Sequence, residues 1–363
     1  MRLSPTLLRY LATRYLQFFL VVLLILATVI FLFEFAELLR RGLSKDVPFD
    51  LLFRMGLYKM PETLERALPF MVLFSGLITF WQLTRTQELV VVRATGLSAW
   101  QFLLPIILVV MLFSLLNLMV VNPVGAMFIG RFKEMENTYL RRLSGFELTS
   151  SGLWLRQQDQ NRGRHYLMQS EKVTLNPLTL QPVMVLVYDD DRNYLGRIDA
   201  EEATLKKGAW HMAGATLHWS RQTPMSQSYT IPTDLTETRI QDSLAAPNTV
   251  SFWDLPHFIQ ALQSIGLPTQ RHIIQWQILM AKPVLLLAMC LVAAVFALRM
   301  TRMGKSVLYI GIGAAAGSMI FGADAMLTAL GMNGALPPLL AVWMIPSLSL
   351  LGALAALLYA EDG

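Results

Sequence analysis

Few residue patterns in this chain have the types and spacing that chemistry demands. Gly304, Lys305 and Ser306 have the ending of a phosphate-cradling loop, in which glycine lets backbone N–H groups approach a phosphate and lysine meets its charge. Five residues earlier, where such a loop needs a second glycine, stands Arg299, and no strand precedes it. Lys305 is more simply a topology charge beside a membrane span. His165, His211, His218, His257 and His272 have no paired-ligand spacing and read as solvated or sheet-edge residues. Asp189, Asp190 and Asp191 have the chemistry to hold a divalent cation, yet an aspartate run after a β-rich segment is usually a turn. Cys290 is the single cysteine, so it defines no disulfide framework and is expected to be packing. No catalytic residue, no metal and no directly bound cofactor are expected.

Membrane spans dominate the rest of the chain. Apolar stretches run over Tyr15–Phe35, Ala67–Leu83, Trp100–Val121, Ile273–Leu298, Ser306–Leu330 and Leu339–Ala360. Each is close to the ~20 helical residues that cross a bilayer core. Hydrophobic residues make up 54% of the sequence and charged residues 15%, against about 25% charged in soluble domains. The mean hydropathy is +0.47. The first stretch follows Arg2, Arg9 and Arg14 as a signal peptide would, but it is too long and no small-x-small site closes it before Glu34. It reads as a retained signal-anchor helix.

Orientation follows from the cations of the short loops. Arg2, Arg9 and Arg14 precede span one, Arg85 and Arg93 separate spans two and three, and Arg299, Arg302 and Lys305 separate spans four and five. These segments share one side by parity, assigned to the cytoplasm together with both termini. The loop expected over Glu37–Arg66 opposes that vote, with Arg40, Arg41, Lys45, Arg54, Lys59 and Arg66 against five acids. The net charge of +5 is ordinary for such a protein and is no evidence for nucleic acid.

The block over 123–271 is polar. It starts as a helical continuation through Arg131 to Leu143 and then changes period to two. The runs GLWLRQ, RHYLMQSEKVTL, PVMVLVYDDD, GRIDAEEATLKKGAWHMAGATLHWS and SQSYTIP are β-rich and separated by turn residues, which favours an antiparallel sandwich or jelly roll. Phe252–Gly266 has helical spacing and a glycine stop, as a short helix returning the chain to the membrane. The expected fold is an α-helical membrane protein with six transmembrane helices and an inserted all-β, jelly-roll-like periplasmic domain. Its domains are residues 1–122 for spans one to three, 123–271 for the β domain with flanking helices, and 272–363 for spans four to six.

The segment TRTQELVVVRATGLSAWQ between spans two and three resembles the cytoplasmic coupling-helix segment of the LptF/LptG family, the permeases of lipopolysaccharide export. The resemblance continues in LLRYLATRY at the start, AELLRRG after span one, LWLR opening the polar block and AKPVLLLAMCLVAAVFALR in span four, so it covers essentially the whole chain. The ELVVVRATG form looks more like the LptG branch than the LptF branch.

The resemblance implies half of an ABC-type exporter that extracts lipopolysaccharide from the inner membrane. It implies as partners an LptF-like permease, an LptB-like ATPase dimer that uses the ATP, and the periplasmic proteins LptC and LptA. A coupling helix near 84–96 is implied to lay its apolar face in an ATPase groove, with Arg85, Glu88 and Arg93 at the contact; without the family these are solvated charges of a surface helix. Arg40 and Arg41 either snorkel to headgroups or, on the side where excess cations are disfavoured, contact lipid A phosphates. Lys282 is a further candidate substrate contact, and Lys282 and Asp324 are costly in a bilayer unless they face a cavity, a partner helix or the interface. The family pattern has a basic residue two turns before Arg41, where this chain has Glu34. Asn117 is expected in a helix–helix hydrogen bond, and Gly313 and Gly317 form a small-xxx-small step. A membrane-anchored lipid-modifying enzyme and a signalling scaffold are the other two classes, separated from transport by copurification with an ATPase and by nucleotide-dependent lipid release.

Overall fold

The computed structural model describes residues 5–43, 45, 47–88, 98–141, 146–149, 152–159, 163–175, 178–189, 193–206, 208–219, 225–233, 246–264, 269–303 and 306–362. Arg93, Asp190, Asp191, Gly304 and Lys305 lie outside these residues. The chain forms two compact units, one of Met1–Glu136, Ser251–Trp253 and Gln270–Gly363, the other of Asn137–Val250 and Asp254–Thr269.

The first unit is helical, and among the described residues six helices are long and apolar enough to cross a membrane. They are α1 (Pro5–Leu43), α2 (Phe49–Arg85), the continuous helical run from α3 (Ala99–Leu116) into α4 (Asn122–Met135), α6 (Gln270–Met303), α7 (Ser306–Met332) and α8 (Pro338–Asp362). Asn117–Val121 and Glu136–Arg141 are π-helical turns within and after the third run. Ser98 starts that run with a reciprocal cap: its Oγ accepts from the Gln101 backbone at 3.2 Å, and the Gln101 side chain accepts from the Ser98 backbone at 3.3 Å.

Two helices form the centre. The apolar windows of α2 and α6 are 61% and 67% buried, against 11% in both α1 and α7. Met71, Leu73, Leu77 and Phe80 of α2 meet Leu286, Met289, Cys290, Ala293 and Ala294 of α6 in one core that also takes Leu11, Tyr15 and Phe19 of α1. Cys290 is buried there as a packing residue. Gly76 lets α2 and α6 approach: a Cβ at that position would stand 2.8 Å from the Ala293 Cβ. Gly313 and Gly317 serve the approach of α7 to α2, since Cβ atoms there would meet Leu77 and Leu73 at 3.0 and 2.1 Å.

The loop expected over Glu37–Arg66 is helical for most of its length, because α1 runs on to Leu43 and α2 begins at Phe49. Hydropathy counts these charges as loop, whereas the fold neutralises them in pairs along and between helices. Asn117 is buried in its π-helical turn and its Oδ1 has no hydrogen-bond partner among the described residues, in place of the expected bond across helices.

The second unit is an antiparallel sheet of eight strands: β1 (Phe146–Thr149), β2 (Gly152–Asp159), β3 (Arg164–Leu175), β4 (Leu178–Asp189), β5 (Tyr194–Ala200), β6 (Glu202–Lys206), β7 (Ala209–Trp219) and β8 (Met225–Pro232). β4 pairs with both β5 and β6, through Val183↔Ala200 and Leu180↔Ala203, and β7 pairs with both on the other side. β5 and β6 are therefore one strand interrupted at Glu201, and the sheet is a meander in which each strand pairs with its neighbours in sequence.

A crease runs across it. In β4 the buried apolar positions are Leu178 and Leu180, with Thr179 buried between them, then Val183, Val185 and Val187, with exposed Gln181 and Pro182 separating the two sets. Ala200 and Ala203 flank Glu201 and Glu202 in the same way, and Met212 and Ala215 flank Ala213 and Gly214. Two residues off the alternation return the same face to the core only if the strand bends. Three adjacent strands bend at the same level, so one meander folds over on itself and both halves bury Trp210, Tyr166, Met168, Val185 and Ile231 in a single core. Gly214 supplies the positive φ of +64° that the bend requires in β7. The short helix α5 (Leu255–Ser264) adds Leu262 and Phe258 to that core, so it belongs to the β unit instead of returning the chain to the membrane.

Candidate functional site

Acidic partners meet the basic residues where α1, α2, α4 and α6 gather. Arg40 makes a two-pronged bond with Glu37 one turn before it, at 2.8 and 2.9 Å, and its side chain stays 76% exposed. Arg41 instead reaches α4's end, donating to Glu136 at 2.6 Å, where the carboxylate is only 7% exposed. The adjacent arginines thus point to different work: one is held at a surface, the other closes a buried pair.

Lys59 of α2 donates to Glu34 of α1 at 2.5 Å. The ammonium group also lies 5.7 Å from the centre of the Phe132 ring. Positive charge is thereby delivered to this level from the neighbouring helix. Arg66 pairs with Glu62 and Arg54 with Asp50 along α2.

Lys282 is not gathered with Arg40 and Arg41 in a shared contact. Its Nζ donates to Glu65 Oε1 at 2.5 Å, joining α6 to α2, and Asn122 donates to the other Glu65 oxygen at 3.5 Å. Asn122 in turn accepts from the Phe252 backbone N–H at 2.9 Å. A polar chain of four groups therefore ties α6, α2 and α4 to the segment Ser251–Trp253. Asp324 is half-buried in α7.

The coupling candidates lie at the other end of the bundle. α2 stops at Arg85, whose guanidinium stacks 5.5 Å from the Trp81 ring centre. Thr86 bonds back to Gln82 through both its backbone N–H and its hydroxyl, each at 3.0 Å, and Gln87 takes the left-handed φ of 60°. That reversal brings Glu88 against α1, where the Tyr10 hydroxyl donates to Glu88 Oε2 at 2.8 Å. Arg14 donates to the same hydroxyl at 3.2 Å, and its guanidinium lies 5.6 Å from the Tyr10 ring centre. Of the DDD run, Asp189 ends β4, its N–H bonded to the Asn193 carbonyl at 3.0 Å.

Lys59, Glu65, Glu136 and Tyr10 are the site residues that the sequence analysis missed. Glu65 and Tyr10 carry no motif.

Long apolar helices, charge pairs at one end and an inserted antiparallel domain are the architecture of a multi-pass membrane protein. Residues 9–359 match the family described as lipopolysaccharide export system permease LptF/LptG, and the chain belongs to that family. No curated protein sequence matches the chain.

Proposed function

We propose that this permease subunit works in an ABC-type exporter that takes lipopolysaccharide from the inner membrane and hands it to a periplasmic protein bridge. An LptB-like ATPase dimer supplies the energy, an LptF-like permease supplies the second half, and LptC- and LptA-like proteins continue the route. Both termini are cytoplasmic and the β domain periplasmic; the pairing of spans and the cations beside them support this orientation.

Arg40 supports the substrate reading most directly. It ends a span with its guanidinium exposed, and that planar fork can meet a phosphate bidentately as it meets the Glu37 carboxylate. Arg41 contributes from beside it. Lys282 has Glu65 already in contact, so a phosphate must displace a carboxylate there, and it stands third among these candidates. Arg85, Glu88 and Arg93 form the coupling contact with the ATPase, and Glu88 presents its charge to a basic groove. The β domain passes acyl chains onward by pairing an edge strand, β1 or β8, with a neighbouring β domain.

The test is reconstitution of the full-length chain with the second permease and the ATPase in vesicles. The expected result is ATP-dependent release of lipopolysaccharide to the bridge proteins. Glu88→Lys is expected to weaken recovery of the ATPase with the permease, and deletion of 145–246 to abolish delivery while sparing insertion and ATPase binding. Release without ATP, or an undisturbed ATPase complex in Glu88→Lys, would overturn the corresponding assignment.

A further inference from the structure

The foot of span one touches Glu88, one of the residues that carry the coupling reading. Tyr10 donates a hydrogen bond to Glu88 while Arg14, one turn later on the same face of α1, donates to the Tyr10 oxygen. A phenol both donates and accepts, so a donor on its oxygen fixes where its own proton points. The foot is not a frayed end: Leu11 and Tyr15 are buried within a turn of Tyr10, in the same core as Leu83 of α2. On the loop side, Gln87 spends a left-handed backbone conformation, uncommon outside glycine, asparagine and aspartate, to bring Glu88 back to α1. A surface hydrogen bond of this kind adds little to stability. What it fixes is the direction of a carboxylate.

We propose that Tyr10, backed by Arg14, is a positioning residue for Glu88, and that the foot of span one is thereby part of the coupling apparatus. This rests on the reading of Glu88 as the ATPase contact. With Oε2 held by Tyr10, the carboxylate meets a cationic partner in one orientation, and any displacement of the loop is felt directly by α1. α1 is suited to carry it. It runs 39 residues with neither proline nor glycine between Pro5 and Gly42, whereas α2, α3, α6 and α8 each contain proline. Tyr10 and Arg40 lie on that one rod, about 45 Å apart at 1.5 Å per residue. Movement of the loop therefore reaches the exposed guanidinium without crossing a joint.

The test uses the full complex in vesicles with ATP, counting lipopolysaccharide released per ATP hydrolysed by assembled complexes. Tyr10→Phe keeps the ring and removes only the hydroxyl. The ratio is expected to fall about fivefold, the size of a partly solvated hydrogen bond to a charged group. Combining Tyr10→Phe with Glu88→Gln is expected to do no more than Glu88→Gln alone. A merely structural tyrosine would lower thermal stability and leave the ratio where it was, and that result, or additive effects in the double variant, overturns the proposal. A second measurement separates two failures: 3-fluorotyrosine placed at position 10 of the chain without partners should change its fluorine resonance in Glu88→Gln. An unmoved resonance overturns the contact itself. A resonance that moves while Glu88→Gln transports normally overturns the proposal through the reading of Glu88.

Discussion

Lys282 Nζ lies 2.5 Å from Glu65 Oε1, with the two side chains only 13% and 11% exposed, and this pair links the central helices α2 and α6. A buried pair is stabilising only against the alternative of one member left alone. Glu65→Leu or Lys282→Met should each lower the stability of the detergent-solubilised protein by about 3 to 5 kcal/mol. The double variant should recover most of the loss, because both charges then leave the apolar interior together. Thermal unfolding of the three variants checks this, and a double variant as unstable as the singles would show that the pair does more than neutralise itself.

Arg40 and Arg41 should separate under mutation although they are adjacent. Arg40→Ala removes an exposed contact worth about 1.5 to 3 kcal/mol to a phosphate, so crosslinking of lipopolysaccharide near the end of α1 should fall with little change in thermal stability. Arg41→Ala removes a cation from the buried Glu136 carboxylate and should lower the unfolding temperature. Adding Glu136→Gln should restore it. Equal effects of the two arginines on crosslinking and stability would contradict this division.

Gly76→Ala should be costly where Gly311→Ala is not. The first places a methyl 2.8 Å from the Ala293 Cβ, an atom with no rotamer by which to give way, whereas a Cβ at Gly311 meets nothing within 4 Å. Overpacking of this kind costs about 1 to 3 kcal/mol. The unfolding temperatures of the two variants give the comparison.

In the β domain, burial first and the neighbouring Tyr229 hydroxyl second push the Tyr166 phenol up to about 12. A raised folded-state value favours the neutral phenol, so its contribution to stability is whole below the ordinary value of about 10 and is lost as pH rises from there through about 12. Tyr166→Phe has no proton to lose. Its unfolding should depend less steeply on pH than wild type across that window, followed by circular dichroism of the full-length protein.

The sequence made the strands and spans legible because their periods are strong. GLWLRQ, RHYLMQSEKVTL and SQSYTIP correspond to β2, β3 and β8 almost residue for residue. The stretch Glu37–Arg66 defeated the same method, since a hydropathy window sees Lys59 and Glu65 as two charges and cannot see that Glu34 and Lys282 neutralise them from other helices. Glu88 was singled out only through the resemblance of its segment to the family. Tyr10 was not, because its partner stands 78 positions away and only the reversal at Gln87 brings them together.

The meander has a consequence for how the protein is made. Each strand from β1 to β8 finds its partner in the segment just synthesised or the one about to follow, so no pairing waits for a distant part of the chain. Loop closure of that kind is entropically cheap and fast. The β domain lies in sequence between spans three and four, and it can begin zipping up strand by strand while the last three spans are still on the ribosome. Newly made strands then spend little time with open edges, which is when an apolar β segment is most prone to aggregate.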